Sequence, residues 1–133
     1  MLRCLIVDDH PGFLLAARRL LEREGMSVVG VASTSRDALQ QARTLRPDVT
    51  LVDIHLGTES GFDVARSLWQ AAAPVPSPVI LISTHAEQDF ADLIAAGTAV
   101  GFLPKPTLSA RSIRRLLDGE GNAGSPVSEP PET

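Results

Sequence analysis

Residues 2–23 read LRCLIVDDHPGFLLAARRLLER, and the periodicity changes partway along. Leu2–Val7 is a short apolar run, too short for a helix, and reads as a buried strand. After the acid pair Asp8-Asp9 the apolar residues recur at helical spacing, with Leu14, Ala17, Leu20 and Leu21 on one stripe. That stripe predicts a helix over Phe13–Arg23. A strand that ends in two carboxylates and turns into a helix is the unit that explains the rest of the chain.

The unit recurs. Strand-like runs lie at Val28–Ala32, Val49–Val52, Val79–Ser83 and Ala99–Leu103, and helical patterns at Ser35–Leu45, Phe62–Trp69, Glu87–Ala96 and Ser109–Leu117. Ala71–Pro78 (AAAPVPSP) carries three prolines and reads as a connector. A β-α alternation repeated five times specifies an α/β fold: a doubly wound, five-stranded parallel sheet with helices on both faces. In such sheets ligands bind at the carboxyl ends of the strands. Asp8-Asp9 follow the first strand, Asp53 ends the third, Ser83 ends the fourth and Lys105, the chain's only lysine, follows the fifth. Four separate segments therefore bring polar groups to one edge.

Each of these residue types has a chemical use there. Two or three carboxylates with backbone oxygen and water suit the octahedral oxygen shell of Mg²⁺. A carboxylate can also be a nucleophile that forms an aspartyl phosphate. A lysine pairs with a phosphoryl oxygen as a point charge, and a hydroxyl such as that of Ser83 donates to another. Taken singly, each residue has a plainer reading. Asp8 or Asp9 could cap the first helix, Asp53 could be a turn residue, and Lys105 could be a solvated surface charge. Convergence at one sheet edge favours a shared site for metal and phosphoryl chemistry.

Length and composition fit one domain. The chain has 133 residues, 44% hydrophobic, with a net charge of −4. Glu120, Glu129 and Glu132 lie beyond Asp118 and carry three of those charges, so the folded part is close to neutral. No basic surface for nucleic acid and no membrane segment is expected. The single cysteine, Cys4, rules out a disulfide within the chain and suits a reducing, cytoplasmic setting. Residues 1–118 are expected to form the domain. Residues 119–133, rich in Gly, Ser, Pro and Glu, are expected to be a disordered tail or the start of a linker.

Residues 2–118 resemble a CheY-like receiver domain of two-component response regulators, and IVDDHPGFLLAARRLL is most similar to the opening of NarL/FixJ-class receivers. The spacings from Asp53 to Ser83, Phe102 and Lys105 match without a gap, Gly61 falls on the family's glycine, and Lys105-Pro106 on its lysine-proline pair. The resemblance implies a flavodoxin-like strand order 2-1-3-4-5. It implies that Asp53 is the phosphoacceptor and that Asp9 directly, and Asp8 directly or through water, bind Mg²⁺ together with Asp53 and the backbone carbonyl of His55. It further implies that Ser83 and Phe102 are the switch residues, that Lys105 contacts the phosphoryl group, and that the peptide before Pro106 is cis. Three positions depart from the pattern. Gly57 replaces a usual proline in the polar loop HLGTES, which is expected to be more flexible. Thr84 replaces a small residue at the phosphosite rim, and Phe102 lacks the hydroxyl of the tyrosine often found there.

The resemblance implies a switch rather than a metabolic enzyme: it catalyses only its own phosphorylation and dephosphorylation. Its partners would be a sensor histidine kinase or phosphotransfer protein and a downstream target or output domain. A homodimer could form through the face running from the fourth helix to the fifth, where Arg111, Arg114 and Arg115 lie. NarL/FixJ-type proteins usually continue into a DNA-binding domain, so this sequence reads as a stand-alone receiver or a piece of a longer regulator. The alternative is a pseudo-receiver acting as a phosphorylation-independent binding module. A haloacid-dehalogenase-type phosphatase would need an acid where His55 stands, and a flavodoxin a Ser/Thr/Gly-rich loop where DDHPG stands. His55 and His85, two residues after Asp53 and Ser83, are expected to flank the path of water to the aspartyl phosphate.

Overall fold

The alternation of short apolar runs and amphipathic segments builds the predicted layers. The computed structural model describes residues 2–71, 78–84 and 101–118. The expected helix Glu87–Ala96, His85, most of the proline-rich connector, the first residues of the fifth strand run and the tail lie outside these residues. In chain order the described elements are β1 (Arg3–Val7), α1 (Pro11–Arg23), β2 (Ser27–Ala32), α2 (Ser35–Leu45) and β3 (Val49–Asp53). Two-residue strands β4 (His55–Leu56) and β5 (Glu59–Ser60) come next, then α3 (Gly61–Ala71), β6 (Val79–Ser83) and β7 (Gly101–Pro104). A single 3₁₀ turn, Lys105–Thr107, leads to a last helix, Ala110–Leu117.

The sheet order is β2-β1-β3-β6-β7, all pairs parallel. This is the expected flavodoxin-like order once the small β4–β5 ladder is set aside. The sequence reading contained neither the 3₁₀ turn nor this ladder: HLGTES was expected as a flexible loop, and Gly57, at φ +59°, lets it turn back so that His55 pairs with Ser60 and Leu56 with Glu59.

Side chains alternate across each strand and helices cover both faces of the sheet, so the central strands are mostly apolar on both sides, with Thr50, Asp53 and Ser83 as their buried polar residues. Cys4, Ile6, Leu51, Ile80, Ile82 and Leu103 pack with Ala17 and Leu21 of α1 and with Ile113 and Leu116 of the last helix. Leu5, Val7, Val52, Leu81 and Phe102 pack on the other face with Ala38 of α2 and Val64, Ala65 and Leu68 of α3. The same alternation decides where the site forms. Asp8, Asp53 and Lys105 share the parity of Ile6, Leu51 and Leu103, and so belong to the α1 face. Ser83 shares the parity of Leu81, whose partner across the ladder is Phe102. Among the described residues no helix is long and apolar enough to cross a membrane.

Candidate functional site

The acid pair does not cap α1. The helix begins at Pro11 with His10 as its N-cap, and no side chain bonds its first turn. Asp8 instead accepts the His10 backbone N–H at 2.9 Å, which folds the chain tightly from strand to helix. Asp8 is fully buried and Asp53 nearly so. Asp53 Oδ1 accepts the backbone N–H of His55 at 3.2 Å, so its turn-residue role coexists with its place in the site. Lys105 reaches in from the far side of the sheet: its Nζ lies 2.7 Å from Asp8 Oδ2 and 3.4 Å from Asp53 Oδ2. It also sits 4.4 Å above the centre of the Phe13 ring, a cation–π position that backs the ammonium with a low-dielectric surface.

Three carboxylates this close repel one another, and the structure shows how they are balanced. Burial and the neighbouring Asp8 charge push the Asp53 carboxyl above its ordinary range, while Lys105 and the His55 N–H pull it back. His10 is the second counterweight. Its Nδ1 lies 2.7 Å from Asp8 Oδ1, 3.2 Å from Asp9 Oδ1 and 3.8 Å from Asp53 Oδ2. The bond to Asp8, with the charges of Asp8 and Asp9, raises the imidazole above its usual pKa, against the opposing charge of Lys105.

His10 and Phe13 are the site residues that sequence reasoning missed. Sequence offset points instead to His55 and His85, two residues after Asp53 and Ser83. The available signal for His10 was its place directly between the acid pair and a proline that starts a helix. Phe13 falls on the same helical stripe as Ala17 and Leu20, where it reads as core, and its place in the first turn of α1 sets its ring beneath Lys105.

The carboxylates are suited to a hard cation. One ligand atom each from Asp8, Asp9, His10 and Asp53 fall within 4.8 Å of one another. Among the described residues, Asp8 Oδ2 and Asp9 Oδ1 are buried with no well-aligned hydrogen bond and face only Lys105 Nζ at 2.7 Å and His10 Nδ1 at 3.2 Å, so their remaining lone pairs suit a cation or its water. The hairpin tip lies beside Asp9: a Cβ at Gly57 would stand 3.4 Å from Asp9 Oδ2. Behind Asp53, Gly61 admits no side chain, since a Cβ there would be 2.1 Å from the Asp53 carbonyl oxygen. An open cleft of about 760 Å³ leads to the site, and Asp53, Thr84, Lys105 and Pro106 are among its lining residues. Thr84 is exposed at this rim, whereas Ser83 and Phe102 are buried.

Comparison with known proteins agrees with this geometry. The family model for the response regulator receiver domain matches residues 4–117. The chain is 30% identical to the response regulator UvrY of Escherichia coli strain K12, over 97% of this chain and 60% of that protein. It is 31% identical to the response regulator GacA of Pseudomonas aeruginosa, over 90% and 57%. The chain thus spans somewhat over half the length of these relatives. Among solved structures, the signal receiver domain of NarL from Mycobacterium tuberculosis superposes with a TM-score of 0.74 at 31% identity, covering 90% of this chain and 95% of that one. A LuxR-family two-component response regulator from Aurantimonas superposes with a TM-score of 0.79 at 28% identity, over 90% and 86%. Sequence and backbone agree across almost the whole described chain, and this protein belongs to the response regulator receiver domains of two-component signalling.

Proposed function

We propose that Asp53 accepts a phosphoryl group from a phosphohistidine on a sensor histidine kinase or phosphotransfer protein, and that the aspartyl phosphate biases the domain toward an output-competent state until it is hydrolysed. The observation that carries this reading is the reach of Lys105 across the sheet to Asp8 and Asp53, at 2.7 and 3.4 Å. In the transfer, an Asp53 carboxylate oxygen attacks phosphorus in line, the phosphorus–nitrogen bond breaks, and the donor imidazole leaves and takes up a proton. Lys105 pairs with one phosphoryl oxygen and the Ser83 hydroxyl donates to a second. Asp8, Asp9, Asp53 and the His55 carbonyl would hold Mg²⁺, which supplies charge neutralisation at the phosphoryl oxygens.

In the hydrolysis that ends the signal, water attacks phosphorus and the Asp53 carboxylate leaves, releasing inorganic phosphate. Thr84 stands at the rim through which that water passes, and His55 and His85 are assigned to the same approach. Loss of the Lys105–Asp53 pairing on phosphorylation shifts Ser83 and Phe102, which share one sheet face on neighbouring strands, and carries the change to the face formed by β7 and the last helix. A downstream target, an output domain or a second copy would read that face. The setting is cytoplasmic, where Cys4 remains a thiol. Incubation of the full chain with Mg²⁺ and acetyl phosphate should add one phosphoryl mass, mapped to Asp53 and lost in Asp53→Asn. Label on any other residue would overturn the assignment.

A further inference from the structure

Outside the acid pocket, an exposed carboxylate of the β4–β5 ladder is bound twice to a different element. Glu59 Oε1 accepts the backbone N–H of Ser35 at 3.0 Å, and Oε2 accepts the Ser35 hydroxyl. Ser35 is the first residue of α2, whose N-cap Thr34 uses its side chain on the Asp37 N–H and leaves the Ser35 N–H to another acceptor. A carboxylate here also meets the positive end of the helix dipole. The two Ser35 bonds accordingly hold the Glu59 carboxyl below its ordinary range.

Glu59 pairs with Leu56 in the ladder, and His55 pairs with Ser60. Leu56 is buried in the core and anchors the hairpin from inside, while Glu59 anchors it from outside on α2. Between the two anchors the turn at Gly57 lies against Asp9. We infer that Glu59 is a positioning residue for the phosphorylation site: its bonds to Ser35 fix residues 55–60 beside Asp9 and hold the loop from which His55 would serve the metal. The inference rests on the Mg²⁺ assignment proposed above. It also makes the N-terminus of α2 a part of the site's support.

The test is calorimetric titration of the full chain with MgCl₂, without a phosphoryl donor, with unfolding midpoints measured in parallel. Glu59→Ala should weaken Mg²⁺ binding roughly tenfold, the low end for groups that orient a metal's ligands. Ser35→Ala keeps the Glu59 charge and one of its two bonds, and should weaken binding severalfold. The double variant should be no weaker than Glu59→Ala, because both substitutions remove one shared interaction. Parent affinity in Ser35→Ala alongside a loss in Glu59→Ala would show that Glu59 acts by charge alone, and would overturn the proposal. Additive losses, or parent affinity in both single variants, would overturn it too. If the parent itself binds no Mg²⁺, the metal assignment fails separately, and amide exchange of residues 55–60 then decides. Faster exchange in both variants supports positioning, and unchanged exchange refutes it.

Discussion

Lys105 shows how much one side chain is asked to do. It is held between the Phe13 ring and two carboxylates, with only 10% of its side chain exposed. An arginine there keeps the charge but replaces a compact ammonium with a planar fork that does not fit the same space. Lys105→Arg is therefore expected to accept phosphate at a rate within about tenfold of the parent but to transmit little of the change to β6 and β7. Amide exchange of those strands before and after acetyl phosphate treatment measures this, and a full parental response would show that charge alone suffices. Cys4 gives a second expectation. Burial raises its thiol from 9.0 to about 12, so it should resist alkylation at pH 8 in the folded chain and react at once in denaturant. The sign of the linkage follows. The unfolded thiol ionises first, so this group's contribution is whole below pH 9 and is lost as pH rises toward about 12, at about 1.4 kcal/mol per pH unit.

At the level of elements, the junction from β3 to α3 is tightly constrained at Gly61. Gly61 donates its N–H to the Ile54 carbonyl at 2.7 Å, and a Cβ at Gly61 would lie 2.7 Å from Ile54 Cα as well as against the Asp53 carbonyl. Backbone atoms cannot swing aside as a long side chain can. Gly61→Ala should cost about 2–3 kcal/mol in urea unfolding. Gly57→Ala meets only an ordinary contact, 3.4 Å from Asp9 Oδ2, but must adopt a positive φ, and should cost about 1 kcal/mol. Equal costs at the two positions would contradict this distinction between crowding and backbone strain. The last helix rests on a different local device: Ser109 and Ser112 bond reciprocally at its N-terminus, and the Ala110 N–H donates to Glu24 at the end of α1, at 2.7 Å. Two distant helix ends are thereby joined by one carboxylate.

For the molecule as a whole, stability comes from a sheet buried on both faces. Ile82 is fully buried on the α1 face, one residue before Ser83, so Ile82→Ala should cost about 2–5 kcal/mol, read from the unfolding midpoint at an unchanged denaturant slope. A loss below about 1 kcal/mol would mean that the α1 face collapses around the gap. The order of elements was legible in the chain because periodicity is a local property: runs such as VILI at 79–82 are apolar at every position since both faces are covered, and Ser35–Leu45 shows its stripe within three turns. The meeting of Asp8, Asp9, Asp53 and Lys105 was legible too, because in a parallel sheet every strand ends at the same edge, whatever the loops do. What only the tertiary structure decided depends on directions within loops and on contacts between elements far apart in sequence. His10 turns back on Asp8 because the strand-to-helix turn is tight, Phe13 backs Lys105 because α1 crosses that edge of the sheet, and Glu59 finds Ser35 because HLGTES closes into a ladder. None of these has a period or a spacing, since each is fixed by packing that exists only once the sheet has formed.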